Sequence, residues 1–97
     1  MVKYGLLARL EAKPGQEAEV ESMLAAALPL ARSEGGTRNW YAFQLDSSTF
    51  GIFDTFDDED GRQAHLEGEI AKALMGNADR LLARPPQIEK IDVLAAK

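Results

Sequence analysis

The chain has 97 residues, a formal net charge of −5 and no cysteine. That length is one domain, residues 1–97, and a hydrophobic share of 45% against 28% charged is that of a globular chain rather than a disordered one. Without cysteine there are no disulfides, thiolate metal sites or cysteine nucleophile, and with one histidine, His65, no two-histidine metal site forms within one chain. Lys and Arg do not cluster, which argues against nucleic acid. No run approaches the ~20 apolar residues of a membrane span, and no basic segment followed by a long apolar run marks a signal peptide. Composition alone predicts a soluble, cytoplasmic protein with no metal.

Val2 to Glu11 alternates, with Tyr4, Leu6, Ala8 and Leu10 on one side, and reads as a half-buried strand that Lys13-Pro14-Gly15 breaks. From Gln16 the period lengthens: Val20, Met23, Leu24, Ala27, Leu28 and Ala31 trace one face of an amphipathic helix. Pro29 deletes a backbone hydrogen bond, so a kink or tightened turn is predicted near Ala25–Leu28. Glu34-Gly35-Gly36 ends the helix. Thr37 to Leu45 and Thr49 to Phe56 alternate as two strands about the turn Asp46-Ser47-Ser48. This hairpin carries all four Phe, Trp40 and Tyr41, with apolar groups on both faces, so both faces are expected to be covered. Asp57 to Asp60 opens a second helical region through Ala64, His65 and Leu66. Gly68 breaks it before a segment carrying Ile70, Leu74, Leu81 and Leu82, and Pro85-Pro86 stops it. Gln87 to Leu94 is the last strand.

The order β-α-β-β-α-β is that of ferredoxin-like domains: a four-stranded antiparallel sheet with helices on one face. A second copy of the chain is the simplest cover for the bare face, so a homodimer is expected.

No strong catalytic motif is present, only a constellation. Trp40 beside Ala42 and Gln44 fits a pocket wall for a planar ligand, or ordinary packing. His65 fits a proton acceptor of near-neutral pKa, or a satisfied or surface histidine. Asp54, between Ile52 and Phe56, fits a buried base, or an acid paired across the sheet. Asn39 and Arg38 are placed to orient an oxyanion, and Arg38 equally to sit in solvent. The Asp57–Asp60 acids are accounted for by the helix start. Gly61 and Gly68 bracket a segment that glycine's low helix propensity would let shift at the mouth of a site.

Asn39-Trp40-Tyr41-Ala42-Phe43, Asp46, Thr49 through Phe56, Asp58-Glu59 and Ala64-His65-Leu66 together resemble the antibiotic biosynthesis monooxygenase domain family over essentially the whole chain. The resemblance implies a dimeric α+β barrel of two ferredoxin-like protomers. It also implies oxygenation of a small phenol or quinol by molecular oxygen, with no metal, flavin or other cofactor. The matching positions are Asn39, Trp40 and Tyr41 for substrate binding and His65 and Asp54 for catalysis. His65 as base implies a rate that rises through roughly pH 6–7.5. The chain departs from the family at Ile70, where many members carry a second histidine. It also lacks the first-strand Asn of the haem-degrading branch and has Leu74 and Met75 where that branch's axial histidine would fall. The rival readings are a non-catalytic dimeric barrel that binds a hydrophobic ligand, and a haem-binding domain using His65.

Overall fold

The alternating first segment forms β1, Tyr4–Glu11, the strand on which the sheet is built. In the computed structural model, which describes residues 2–97, β1 pairs on one side with β3, Thr49–Phe56, and on the other with β4, Gln87–Asp92. Strand β2, Thr37–Gln44, pairs only with β3, giving the fully antiparallel order β2-β3-β1-β4. This is the ferredoxin-like α+β fold. Both edge strands, β2 and β4, are mostly exposed.

The predicted kink is a break. Helix α1 spans Glu17–Ala26 and α2 spans Leu28–Ser33, with Ala27 between them still in helical geometry. Pro29 falls in the first turn of α2, where its missing N–H has no partner to lose. The second helical region divides where Gly68 predicts, into α3, Glu59–Leu66, and α4, Glu69–Leu81. Asp58 caps α3 by accepting the Gly61 N–H at 2.7 Å.

Cross-strand partners share a face, so the register puts Leu10 with Phe50, Ala8 with Ile52 and Ile52 with Ala42 on the helix side. Leu10, Phe50 and Ile52 bury there against Val20, Leu24, Leu74 and Leu81. The opposite face carries Leu7, Phe43, Phe53 and Ile91 half-buried and Tyr41 57% exposed. The described helices pack on one side of the sheet, as the ferredoxin-like order predicts, and leave the other face to the cover expected from a second copy. The Phe43 ring lies over Gly51 and Ile91 over Gly5, so tightly that a Cβ on Gly51 would collide with the ring. Two glycines thus let large side chains lie flat on an open sheet.

Arg62 fastens α3 to the sheet. It is only 6% exposed. Its Nη1 donates to the carbonyls of Gly5 and Ile91 at 3.3 Å each, and Nε and Nη2 donate to Glu59 at 3.1 and 2.5 Å. The guanidinium also sits 5.1 Å from the Tyr4 ring centroid. Gly36 and Gly61 pack backbone to backbone, with a Cβ on Gly36 only 3.1 Å from the Gly61 Cα. These contacts pin the segment that glycine content alone predicts to be movable. Arg62→Ala should destabilise the fold by about 2–3 kcal/mol in urea denaturation and speed amide exchange in α3 before the strands. Exchange in α3 unchanged from wild type would refute the anchoring role.

Candidate functional site

Three elements converge on one imidazole. Strand β3 supplies Asp54, α3 supplies His65, and Glu34 follows the last turn of α2. His65 Nε2 lies 2.9 Å from Asp54 Oδ2, and Nδ1 lies 2.6 Å from Glu34 Oε1. Thr37 Oγ1 donates to the same Glu34 oxygen at 2.8 Å. Asp54 is 1% exposed and His65 8%. The Phe56 ring covers the imidazole, centroid to centroid 5.4 Å.

With both acids ionised, a carboxylate on each ring nitrogen calls for a hydrogen on each, which makes the imidazole an imidazolium. Burial on its own disfavours that charge. The hydrogen bonds and charges of Asp54 and Glu34 outweigh it and raise the His65 pKa to about 9. Sequence reasoning gives His65 its ordinary near-neutral pKa. The structure differs because two acids from distant segments meet on the ring, and at neutral pH neither nitrogen is free to accept a proton. Neither is free to bind haem iron.

Asp54 carries one of two buried side-chain polar atoms without a hydrogen-bond partner among the described residues, its Oδ1; the other is Trp40 Nε1. Asp54 and His65 border a cavity of about 30 Å³ whose other walls include Leu6, Ala8, Ile52, Ile70, Leu74 and Ile88. That is room for about one water. Ile52, Ile70 and Leu74 also line a cleft of about 150 Å³ between the α1–α2 bend and α4, with Met23, Ala27, Leu30 and Ala73. These three side chains line both spaces. On the outside, Glu34 and His65 open onto a cleft of about 280 Å³ bordered by Gly35, Gly36, Gly61, Gly68 and Glu69.

Trp40 is the cross-strand neighbour of Asp54 on the helix face. It packs half-buried against Ala27, Ala31 and Ile70, and its Nε1 is buried without an acceptor. The structure does not bring Asn39 and Tyr41 to this site. Period-two alternation sends both neighbours of Trp40 to the open face, where Asn39 Oδ1 accepts from Thr55 Oγ1 at 2.7 Å and Tyr41 faces out. Arg38 is exposed and pairs with Asp57 at 3.4 Å. Sequence reasoning treats Glu34 only as part of a helix stop. Its signal was available: an acid at a helix C-terminus opposes the macrodipole and needs a cation nearby.

No family model matches the chain, and no curated protein matches it. The crystal structure of NE2512, a protein of unknown function from Nitrosomonas europaea, is 61% identical, with all of this chain and 94% of that one covered and a TM-score of 0.98. The chain belongs to the NE2512 family. Two more distant structures share its fold. One is provisionally named an antibiotic biosynthesis monooxygenase from Nitrosomonas europaea, 14% identical over 95% of this chain and 99% of that one, TM-score 0.85. The other carries the same provisional name, from Chloroflexus aurantiacus, 20% identical over 98% and 96%, TM-score 0.76. Among the described residues of this NE2512-family chain, no helix is long and apolar enough to cross a membrane.

The raised His65 pKa makes stability depend on pH. The folded value of about 9 lies above the ordinary 6.5, so the contribution is fully present below about pH 6.5 and is lost as pH rises through 9. Its upper size is about 3 kcal/mol. The urea midpoint should fall between pH 6.5 and 9.5, and His65→Gln should flatten that slope. A wild-type midpoint constant across the window would contradict the imidazolium assignment.

Proposed function

We propose that this protein is a homodimeric, cofactor-independent monooxygenase that oxidises a small phenol or quinol with molecular oxygen. The observation that carries the reading is Asp54: its Oδ1 is buried without a partner among the described residues, and the residue borders a mostly apolar cavity. An apolar ring bearing one hydroxyl group meets both requirements. The shared fold with proteins named for such chemistry supports the reaction class.

In this reading the ligand hydroxyl donates to Asp54 Oδ1, and His65 holds Oδ2. As oxygen draws an electron from the ring, the hydroxyl proton passes to Asp54, because a phenolate gives up an electron far more readily than a phenol. A carbon–oxygen bond then forms. Asp54 returns the proton to the outer peroxide oxygen, the ring C–H proton leaves, and the O–O bond breaks. Phenol and dioxygen become quinone and water, with atoms and electrons balanced. The apolar walls exclude water, which strengthens every polar contact inside.

Size sets how the ring is held. A space of about 30 Å³ accepts the hydroxyl but not a ring, whereas a cavity of roughly 150 Å³ accommodates benzene. The ring therefore occupies the cleft beside α4, and Ile52, Ile70 and Leu74 yield so that the hydroxyl reaches Asp54. Trp40, packed on Ile70, backs this wall. The apolar open face, with Leu7, Phe43, Phe53 and Ile91, suits a second copy of the chain, which makes the barrel. Asn39 and Tyr41 lie on that face and act in assembly.

Oxygen uptake with a panel of hydroquinones tests the reaction. Asp54→Asn, which keeps shape but removes the acceptor charge, should lower turnover by about 10²–10⁴-fold and leave the circular dichroism unchanged. Hydroquinone binding with no oxygen uptake would overturn the enzyme reading in favour of a binding protein. Sedimentation should show a dimer at micromolar concentration, burying more than about 1,200 Å². A monomer there would remove the barrel.

A further inference from the structure

We propose that Glu34 is a positioning residue for this site: by gripping Nδ1 of His65 it fixes the ring with Nε2 on Asp54 Oδ2, so that Asp54 meets its ligand through Oδ1 alone. The inference rests on the reading above for its catalytic consequence, but the geometry of the clamp stands without it.

Glu34 receives two donors on one oxygen, His65 Nδ1 at 2.6 Å and Thr37 Oγ1 at 2.8 Å. Its other oxygen is pressed against Gly68, where a Cβ would come within 3.1 Å. Its side chain is 20% exposed. A carboxylate held this closely beyond a helix C-terminus is opposed by the helix dipole and costs desolvation. The imidazolium offsets both. The groups facing His65 are few. Asp54 comes from β3 and Glu34 from the α2–β2 connection, while Glu69 of α4 borders the outer cleft. On its own helix, Arg62 is turned away to Glu59 and to the Gly5 and Ile91 carbonyls. Among the described residues no other side chain occupies Nδ1, so without Glu34 that nitrogen loses its acceptor and the imidazolium loses one of two counter-charges.

The charge balance also selects the ligand. Two carboxylates around one imidazolium leave the site one negative charge in excess. An uncharged phenol or quinol fits this balance, whereas a ligand carboxylate would add a second unpaired negative charge in a low dielectric. The substrate class is therefore the uncharged hydroxyarene rather than the hydroxybenzoate.

The test follows the His65 ring resonances by NMR from pH 5 to 10.5 in the full-length wild type, Glu34→Gln and Glu34→Asp. The wild-type midpoint should fall near 9. Glu34→Gln should lower the proton affinity of His65 roughly tenfold or more, and Glu34→Asp should restore part of it. An unchanged midpoint in Glu34→Gln overturns the proposal. If Glu34→Gln does not fold, Thr37→Val, which removes the second donor on Glu34, should shift the midpoint downward by less, and no shift there overturns it as well. The second arm measures oxygen uptake with hydroquinone and with a hydroxybenzoate. Wild type should be flat through neutral pH and prefer hydroquinone. Glu34→Gln should lower kcat, gain a pH-dependent limb near neutrality and narrow the preference. A shifted midpoint with no oxygen uptake by wild type keeps Glu34 as the positioning residue and sinks the oxygenase reading, so the two failures are distinguishable.

Discussion

A buried imidazolium between two carboxylates ties this molecule together. It joins β3 to α3, its neighbour in the chain, and α3 to the more distant connection before β2. A lone charge in this interior would cost several kcal/mol, and the pairing is what makes the burial tolerable. The same clamp decides which polar atom is left over. With both histidine nitrogens and one Asp54 oxygen engaged, Oδ1 is the atom of this cluster left buried and unpaired among the described residues.

The fold was legible because it rests on periodicity. The alternation of Leu6, Ala8 and Leu10 and of Phe50, Ile52 and Asp54 fixes both the strands and the face that meets the helices. The 3.6-residue spacing of Val20, Leu24 and Ala27 fixes the opposing layer, and Pro29 and Gly68 mark its breaks. The site was less legible. Asp54 and His65 stand out as a carboxylate and an imidazole in apolar settings, but pairing between residues 31 positions apart, as in Glu34 and His65, leaves no local pattern. Nor does adjacency in a motif mean adjacency in space: Asn39-Trp40-Tyr41 reads as one string, yet the strand pleat divides it between the two faces.

The two faces of the sheet do different jobs with similar residues. The helix side buries Phe50 and Phe56 almost completely. The other side lays Phe43 over Gly51 and Ile91 over Gly5. On the helix side, an apolar cleft lies between the α1–α2 junction at Ala27 and α4. The proline that disturbs the helix is thus tied to the space in which a ring can sit.

The backbone contact between Gly36 and Gly61 acts as a ruler. With no side chain on either residue, the separation of the β2 entry from α3 is set by main-chain atoms meeting, at 3.1 Å for any Cβ added. Glu34 lies two residues before one end of that contact and His65 four residues after the other. The Glu34–His65 hydrogen bond spans the same two segments. A methyl group at either glycine would make them give by a few tenths of an ångström, reaching the site through a spacer rather than a reactive group.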